Sequence, residues 1–272
     1  IAIDKWEHNN LYDLCKQKFA DSDVVDVAVE HNKKGTMGDH FSYSNEYAIF
    51  VVSNNIKYLN EKIRDRKDWE YSNLRNWGGE SLRGDAANCF YPIYIEANEF
   101  VTGLVKVYVS AKEKPQIINA DEREIMAIYP IDNDGVERKW RYAFQTIEQL
   151  LPYLQINLPT NSSNSYQIFM PKRSDKYKTM WYDSKYNAGD NGTTVLTNMG
   201  LGNAFTYPKS VYLVKDCISA ISNEGDVVMD IFAGSGTTGH SILMLNREAK
   251  AYQKLRKCIL VEMGLYFNTA TK

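Results

Sequence analysis

The chain has 272 residues, 44% of them hydrophobic and 24% charged, with a formal net charge of −2. That length suits one large domain or two modest ones, and the composition is that of an ordinary globular protein. No apolar run approaches the ~18 residues of a membrane span, no leader pattern opens the sequence, and the charge argues against a surface coated in phosphate contacts while allowing a local basic patch.

Cys15, Cys89, Cys217 and Cys258 lie far apart and never in C-x-x-C spacing. They read as reduced thiols of a cytoplasmic protein, not as a disulfide framework or zinc site. His8, His31, His40 and His240 lack ligand spacing, so no metal is expected.

In chain order, residues 1–3 look like a strand, and Leu11, Leu14, Cys15 and Phe19 fall at helical spacing. Residues 24–29 and 47–52 read as strands, with a turn-rich, partly basic loop between them at 32–39 (NKKGTMGD). A native reading frame does not open on Ile1, which predicts a missing segment ahead of it. From about residue 54 to 178 the texture changes to short β-like runs at 91–95, 104–109, 137–144 and 166–170. One short helix is expected at 146–154, and a polar loop at 160–165 (TNSSNS). Beyond 179 an α/β texture returns. Pro208 suits a first helical turn, and Val211, Val214, Ile218 and Ile221 make one apolar face. A buried strand at 226–231, a helix at 237–246 and a strand at 258–263 follow. The expected division is 1–55, 56–178 and 179–272.

The segment DIFAGSGTTGHS (230–241) joins a strand to a helix through a glycine-rich turn. Gly234, Gly236 and Gly239 form a G-x-G-x-x-G, and the same stretch is nearly a phosphate-binding loop with His240 in the lysine position. In all such sites glycines let backbone approach a ligand at a helix N-terminus. A mostly neutral histidine is a poor partner for nucleotide phosphates. A dinucleotide site opens a βαβ series, whereas only enough chain for a helix and a strand follows here. Asp230 would repel a pyrophosphate but attract an amino-acid ammonium. S-adenosylmethionine carries that ammonium and no phosphate, so it is the expected ligand, with Glu262 on its ribose hydroxyls. The glycine turn closes the chain instead of opening it, so the remaining parallel strands must come from the first 55 residues. That predicts an α/β fold with a circularly permuted, Rossmann-like sheet interrupted by a mostly β insert.

Four stretches together resemble the β-class amino-methyltransferases, most closely the modification subunits of type III restriction–modification systems. They are IAIDKWEHNNL (1–11); HN, Gly35 and FSYSNEYA (41–48); GGESLR (78–83) with FYPIY (90–94); and FTYPKSVYL (205–213) with DIFAGSGTT (230–238) and ILVEM (259–263). The resemblance implies transfer of a methyl group from S-adenosylmethionine to adenine N6 in double-stranded DNA. Asp230, Phe232, Ala233, Gly234, Ser235, Gly236 and Thr237 would surround the amino-acid end of the cofactor. Glu262 would take its ribose and Met263 would lie along its adenine. Tyr207, Pro208, Lys209 and Ser210 would close over the methionine moiety. Residues 56–178 would read DNA, and a homodimer and a restriction subunit are the implied protein partners. The family's catalytic D/N-P-P-Y/F loop, which holds the flipped adenine, has no counterpart, because none of the seven prolines forms a Pro-Pro pair. Its place in the family order is just before Ile1, so no catalytic residue is expected in this sequence.

Arg75 and Arg83 flank the Gly78-Gly79 turn and, with Lys172 and Arg173, are the candidate DNA contacts; for the lysine-rich stretch a solvated face is the alternative. The insert's aromatics, including Trp69, Trp77, Tyr91 and Trp140, suit base stacking but fit a core better.

Overall fold

A computed structural model describes residues 1–97, 106–109, 124–157, 166–249 and 251–271. The expected loop at 160–165 lies outside them, as do Leu104 and Val105. The chain divides into two compact units, Ile1–Lys62 with Asp175–Lys272, and Ile63–Ser174.

The first segment supplies β1 (Ala2–Ile3), α1 (His8–Lys18), β2 (Ser22–Glu30) and β3 (Asn45–Ser53). The second unit contains β4 (Glu70–Asn73), β5 (Ile93–Ala97), β6 (Lys106–Val109), β7 (Glu124–Ile128), α2 (Phe144–Ile147), β8 (Gln155–Asn157) and β9 (Gln167–Lys172). The first unit resumes with β10 (Met180–Trp181), α3 (Thr194–Asn198), α4 (Val211–Ile221), β11 (Val227–Asp230), α5 (Thr237–Glu248) and β12 (Lys257–Leu260).

In the first unit β1, β3, β2 and β10 form one sheet in that order, with β2 antiparallel to β3 and parallel to β10. The near-continuous apolar run of β2 follows from burial on both faces. Val24, Ile49 and Val51 pack with Cys15 and Leu11 of α1, while Val27, Val29 and Ala48 pack with Trp181, Tyr186 and Leu213 of α4. β11 and β12 form a separate parallel pair. Val228 of that pair meets Ile218 of α4 and Ile242 and Leu245 of α5, whereas Val227, Met229 and Ile259 are exposed. The expected single sheet is therefore divided into two, with α4 packed against both, in a mixed α/β unit.

α4 is fixed at each end. Ser210 caps its N-terminus, accepting from the Leu213 amide and donating to the Lys185 carbonyl. The Asn60 amide group donates to the carbonyls of Ser219 and Ser222 at the other end. Midway, the buried Asp216 carboxylate accepts from Lys185 Nζ at 2.6 Å and the Tyr186 hydroxyl at 2.7 Å.

In the second unit β5 lies between β6 and β7, and β9 lies between β4 and β8, all antiparallel. Its core gathers Leu74, Tyr91, Ile93, Trp140, Ile147 and Ile168. Two expectations are corrected here. Residues 137–144 are not a strand: they make isolated bridges from Glu137, Arg138 and Trp140 and enter α2 at Phe144. The helix expected at 146–154 is split into α2 and a 3-10 turn at Leu151–Tyr153, since Pro152 has no amide hydrogen to continue an α-helix.

Candidate cofactor-binding turn

β11 ends at Asp230, and the chain turns through residues 231–236 into α5. One Asp230 oxygen accepts from the Phe232 amide at 3.1 Å and the other from Thr238 Oγ1 at 2.5 Å, so the carboxylate ties the entry of the turn to the first turn of α5. Gly234 and Gly236 have φ of +55° and +76°, which L side chains rarely adopt. A Cβ at Gly234 would lie 3.1 Å from the Phe205 ring, and one at Gly236 3.1 Å from the Thr271 carbonyl oxygen. Conformation and close approach both demand glycine there. Gly236 is the N-cap of α5 and brings no capping side chain, leaving the helix without the side-chain acceptor that its first amides commonly find. Ala233 and Ser235 are buried, and Ser235 Oγ lies 2.9 Å from Thr237 Oγ1.

Glu262, just past the end of β12, faces this turn. One oxygen accepts from the Gly234 amide at 2.8 Å and the other from the amides of Met263 and Gly264, each at 2.8 Å. The Gly264 and Gly234 amides hold the carboxyl below the usual carboxylate range. Three amides and the Tyr266 hydroxyl nearly fill the lone pairs of a carboxylate. In this geometry Glu262 braces the turn, and a ribose hydroxyl would have to share or displace one of these bonds. Because its folded pKa is depressed, its stabilising contribution is present above the unfolded value near 4.5 and is lost as pH falls through the folded one. We expect amide exchange at Gly234 and Gly264 to accelerate as pH is lowered from about 5 to about 3, beyond the intrinsic pH dependence of exchange. In Glu262→Gln that excess should disappear; an excess that survives the substitution would assign the effect to another group.

The segment 205–210 lies beside the turn. The Phe205 ring borders Gly234 and meets Tyr266 edge-on at 5.0 Å. Tyr207 is 83% exposed, and Pro208 is buried against Gly192, where a Cβ would come within 2.6 Å of the Pro208 carbonyl oxygen. Lys209 and Ser210, expected to close over the cofactor, are engaged elsewhere. Lys209 Nζ donates to Glu46 Oε2 at 2.5 Å, and Ser210 serves α4. Phe232 and Met263 are exposed, at 81% and 96%. Phe205, Thr238, Glu46 and His31 carry no role in the sequence reading, although all four lie in the stretches that carry the family resemblance. A cavity of about 420 Å³ near the far end of α4, lined by Val25, Phe50, Val52, Trp181 and Ala220 among others, contains none of the expected site residues.

In the second unit Arg75 is 6% exposed, and its guanidinium donates to the Ile131 carbonyl and lies 4.6 Å from the Trp77 ring. Burial and these contacts tie the Arg75 guanidinium into the unit's own packing, away from the exposed position expected of a DNA contact. Arg83 is half-exposed, paired with Glu137 at 2.9 Å and seated over Phe90. Arg173 lies over Tyr153 at 4.3 Å, and Lys172 is exposed at the end of β9. Trp140 and Tyr91 are core, as favoured from sequence, and Trp77 is exposed. Among the described residues no group of three or more histidine, cysteine, aspartate or glutamate side chains is arranged to hold a metal ion, and no helix is long and apolar enough to cross a membrane.

A mixed α/β unit with a glycine turn between a parallel strand and a helix, carrying a separate β-rich unit within it, defines a class of modular α/β proteins. A family model described as DNA methylase matches residues 1–272, and the chain belongs to that family. It is 24% identical over 263 residues to the type II methyltransferase M.KpnI of Klebsiella pneumoniae, covering 90% of this chain and 58% of that protein. It is 26% identical over 269 residues to the EcoPI Mod subunit, a type III restriction–modification enzyme of Escherichia phage P1, covering 91% of this chain and 40% of that one. The EcoP15I Mod subunit of Escherichia coli is 24% identical over 278 residues, covering 93% and 42%. The chain thus spans between two-fifths and three-fifths of the length of these relatives.

Proposed function

We propose that this DNA methylase binds S-adenosylmethionine at the 230–238 turn and belongs to an enzyme that methylates adenine N6 in a specific DNA site. The observation that carries the reading is the turn itself. A carboxylate stands at the strand end, two glycines in left-handed conformation follow, and an uncapped helix N-terminus comes next. Asp230 suits the ammonium of the cofactor, and the α5 N-terminus suits its carboxylate. A permuted Rossmann-like arrangement belongs to this reading, supported by the parallel pairs β2–β10 and β11–β12 and set against the antiparallel pairing of β1, β3 and β2, and the second unit would read DNA through Arg83, Lys172 and Arg173. A restriction subunit is a proposed partner, from the restriction–modification names of the relatives, and a homodimer is proposed beside it.

When bound, the cofactor supplies an electrophilic methyl on a sulfonium. This chain's residues bind and orient it: Asp230 holds the amino group, Glu262 fixes the turn, and Phe205 closes one side. A second reading, a module that binds cofactor or DNA without transferring methyl, is favoured by the lack of any Pro-Pro pair in the 272 residues. Calorimetry with S-adenosylmethionine and with NAD tests the first reading. Binding of S-adenosylmethionine alone is expected, and binding of NAD alone would sink it. Labelled-methyl incorporation into duplex DNA separates enzyme from module.

A further inference from the structure

Lys209 belongs to the stretch expected over the cofactor, yet its ammonium is spent on Glu46, a residue of β3. The contact is short, 2.5 Å, and Glu46 is mostly buried. His31, just past the end of β2, approaches the other Glu46 oxygen through Nε2 at 3.6 Å, and its buried Nδ1 has no hydrogen-bond partner. Around this cluster the backbone is tightly fitted. The Ala188 amide donates to the His31 carbonyl at 2.9 Å, and Gly192 admits the Pro208 and Lys209 carbonyls at distances any side chain would obstruct. From Lys209 the chain runs back to Phe205, whose ring rests against Gly234. The segment 205–210 is therefore fastened at the glycine turn by Phe205, at the strand ends by Lys209, and on α4 by Ser210.

Of these fastenings, only the one through Lys209 is an ion pair with a carboxylate from the N-terminal segment. Removing Glu46 would leave the ammonium without its counter-charge and loosen the segment around Lys209, while Phe205, the fit of Pro208 against Gly192 and the Ser210 cap remain. We infer that Glu46 is a positioning residue: through Lys209 it holds Tyr207 and Pro208 in register with the glycine turn, for the methionine end of the cofactor. This deepens the cofactor reading above and rests on it for the ligand, whereas the fastening is a property of the protein alone.

Hydrogen exchange and calorimetry on the whole chain test the inference together. In Glu46→Gln, and in Lys209→Met as a second variant reaching the same contact from the other side, amides of 205–210 should exchange about tenfold faster, with β2 and β3 unchanged. S-adenosylmethionine should bind about fivefold to tenfold more weakly. 5′-Methylthioadenosine, which lacks the amino-acid end, should bind as it does to the unmodified chain. A merely structural Glu46 would weaken both ligands equally. The reversed pair Glu46→Lys with Lys209→Glu should recover most of the lost protection. Unchanged exchange at 205–210 in both single variants, or equal weakening of both ligands, would overturn the proposal. Failure of the unmodified chain to bind S-adenosylmethionine would instead overturn the cofactor reading, leaving the exchange result to decide the fastening.

Discussion

Replacing Asp230 by alanine should weaken S-adenosylmethionine binding by more than tenfold, about 1.4 kcal/mol or greater. Two losses combine. The proposed ammonium contact disappears, and so do the bonds to the Phe232 amide and Thr238 Oγ1 that set the turn against α5. Asp230→Asn separates them. The amide retains an acceptor for one of the two bonds but has no charge to offer the ammonium. If charge dominates, the asparagine variant should bind almost as weakly as alanine while keeping turn protection in hydrogen exchange. If scaffolding dominates, it should recover most of the affinity. Affinity unchanged in the alanine variant would remove Asp230 from the site.

The largest effect on stability is expected from Trp140→Ala. Trp140 is 2% exposed, donates its indole N–H to the Tyr91 carbonyl at 2.8 Å, and packs with Tyr91 in the core of the second unit. Truncating a buried tryptophan costs about 3–5 kcal/mol from lost burial and the cavity left behind. The Tyr91 carbonyl would also lose its indole donor, and burial already pushes the Tyr91 hydroxyl pKa upward. Because this core is built entirely from the second unit, amides of β5 and β9 should lose protection while those of β2 and β3 keep theirs. Uniform loss across both units would show that they do not unfold separately.

Much of this architecture was legible where the determinants are local. β2 was readable because both its faces are buried, and α4 because its apolar residues recur at helical spacing, although the helix starts at Val211 behind the Ser210 cap and leaves Pro208 outside the first turn where it was expected. The glycine turn was legible because left-handed backbone and close approach leave few residue types. The misread stretch at 137–144 looks alternating, yet it is organised by distant partners: Trp140 bridges Arg75, and Arg138 donates to Asp132 and Ser81. The ion pair of Lys209 was illegible for the same reason. Its motif suggested a ligand, while its partner Glu46 is 163 residues away in sequence, beyond the reach of any local pattern. Glu262 was placed at the turn, but its occupation by backbone amides depends on how 263–266 fold back.

The buried Asp216 has a consequence for all of this. Its two donors, Lys185 and Tyr186, both reach one carboxylate oxygen on a single side of α4. A slip of the helix by one residue turns it by about 100° and would carry that charge into apolar packing with nothing to neutralise it. The carboxylate therefore acts as a rotational index. It admits one azimuth of α4, and with it one direction in which the preceding residues leave the helix toward the glycine turn.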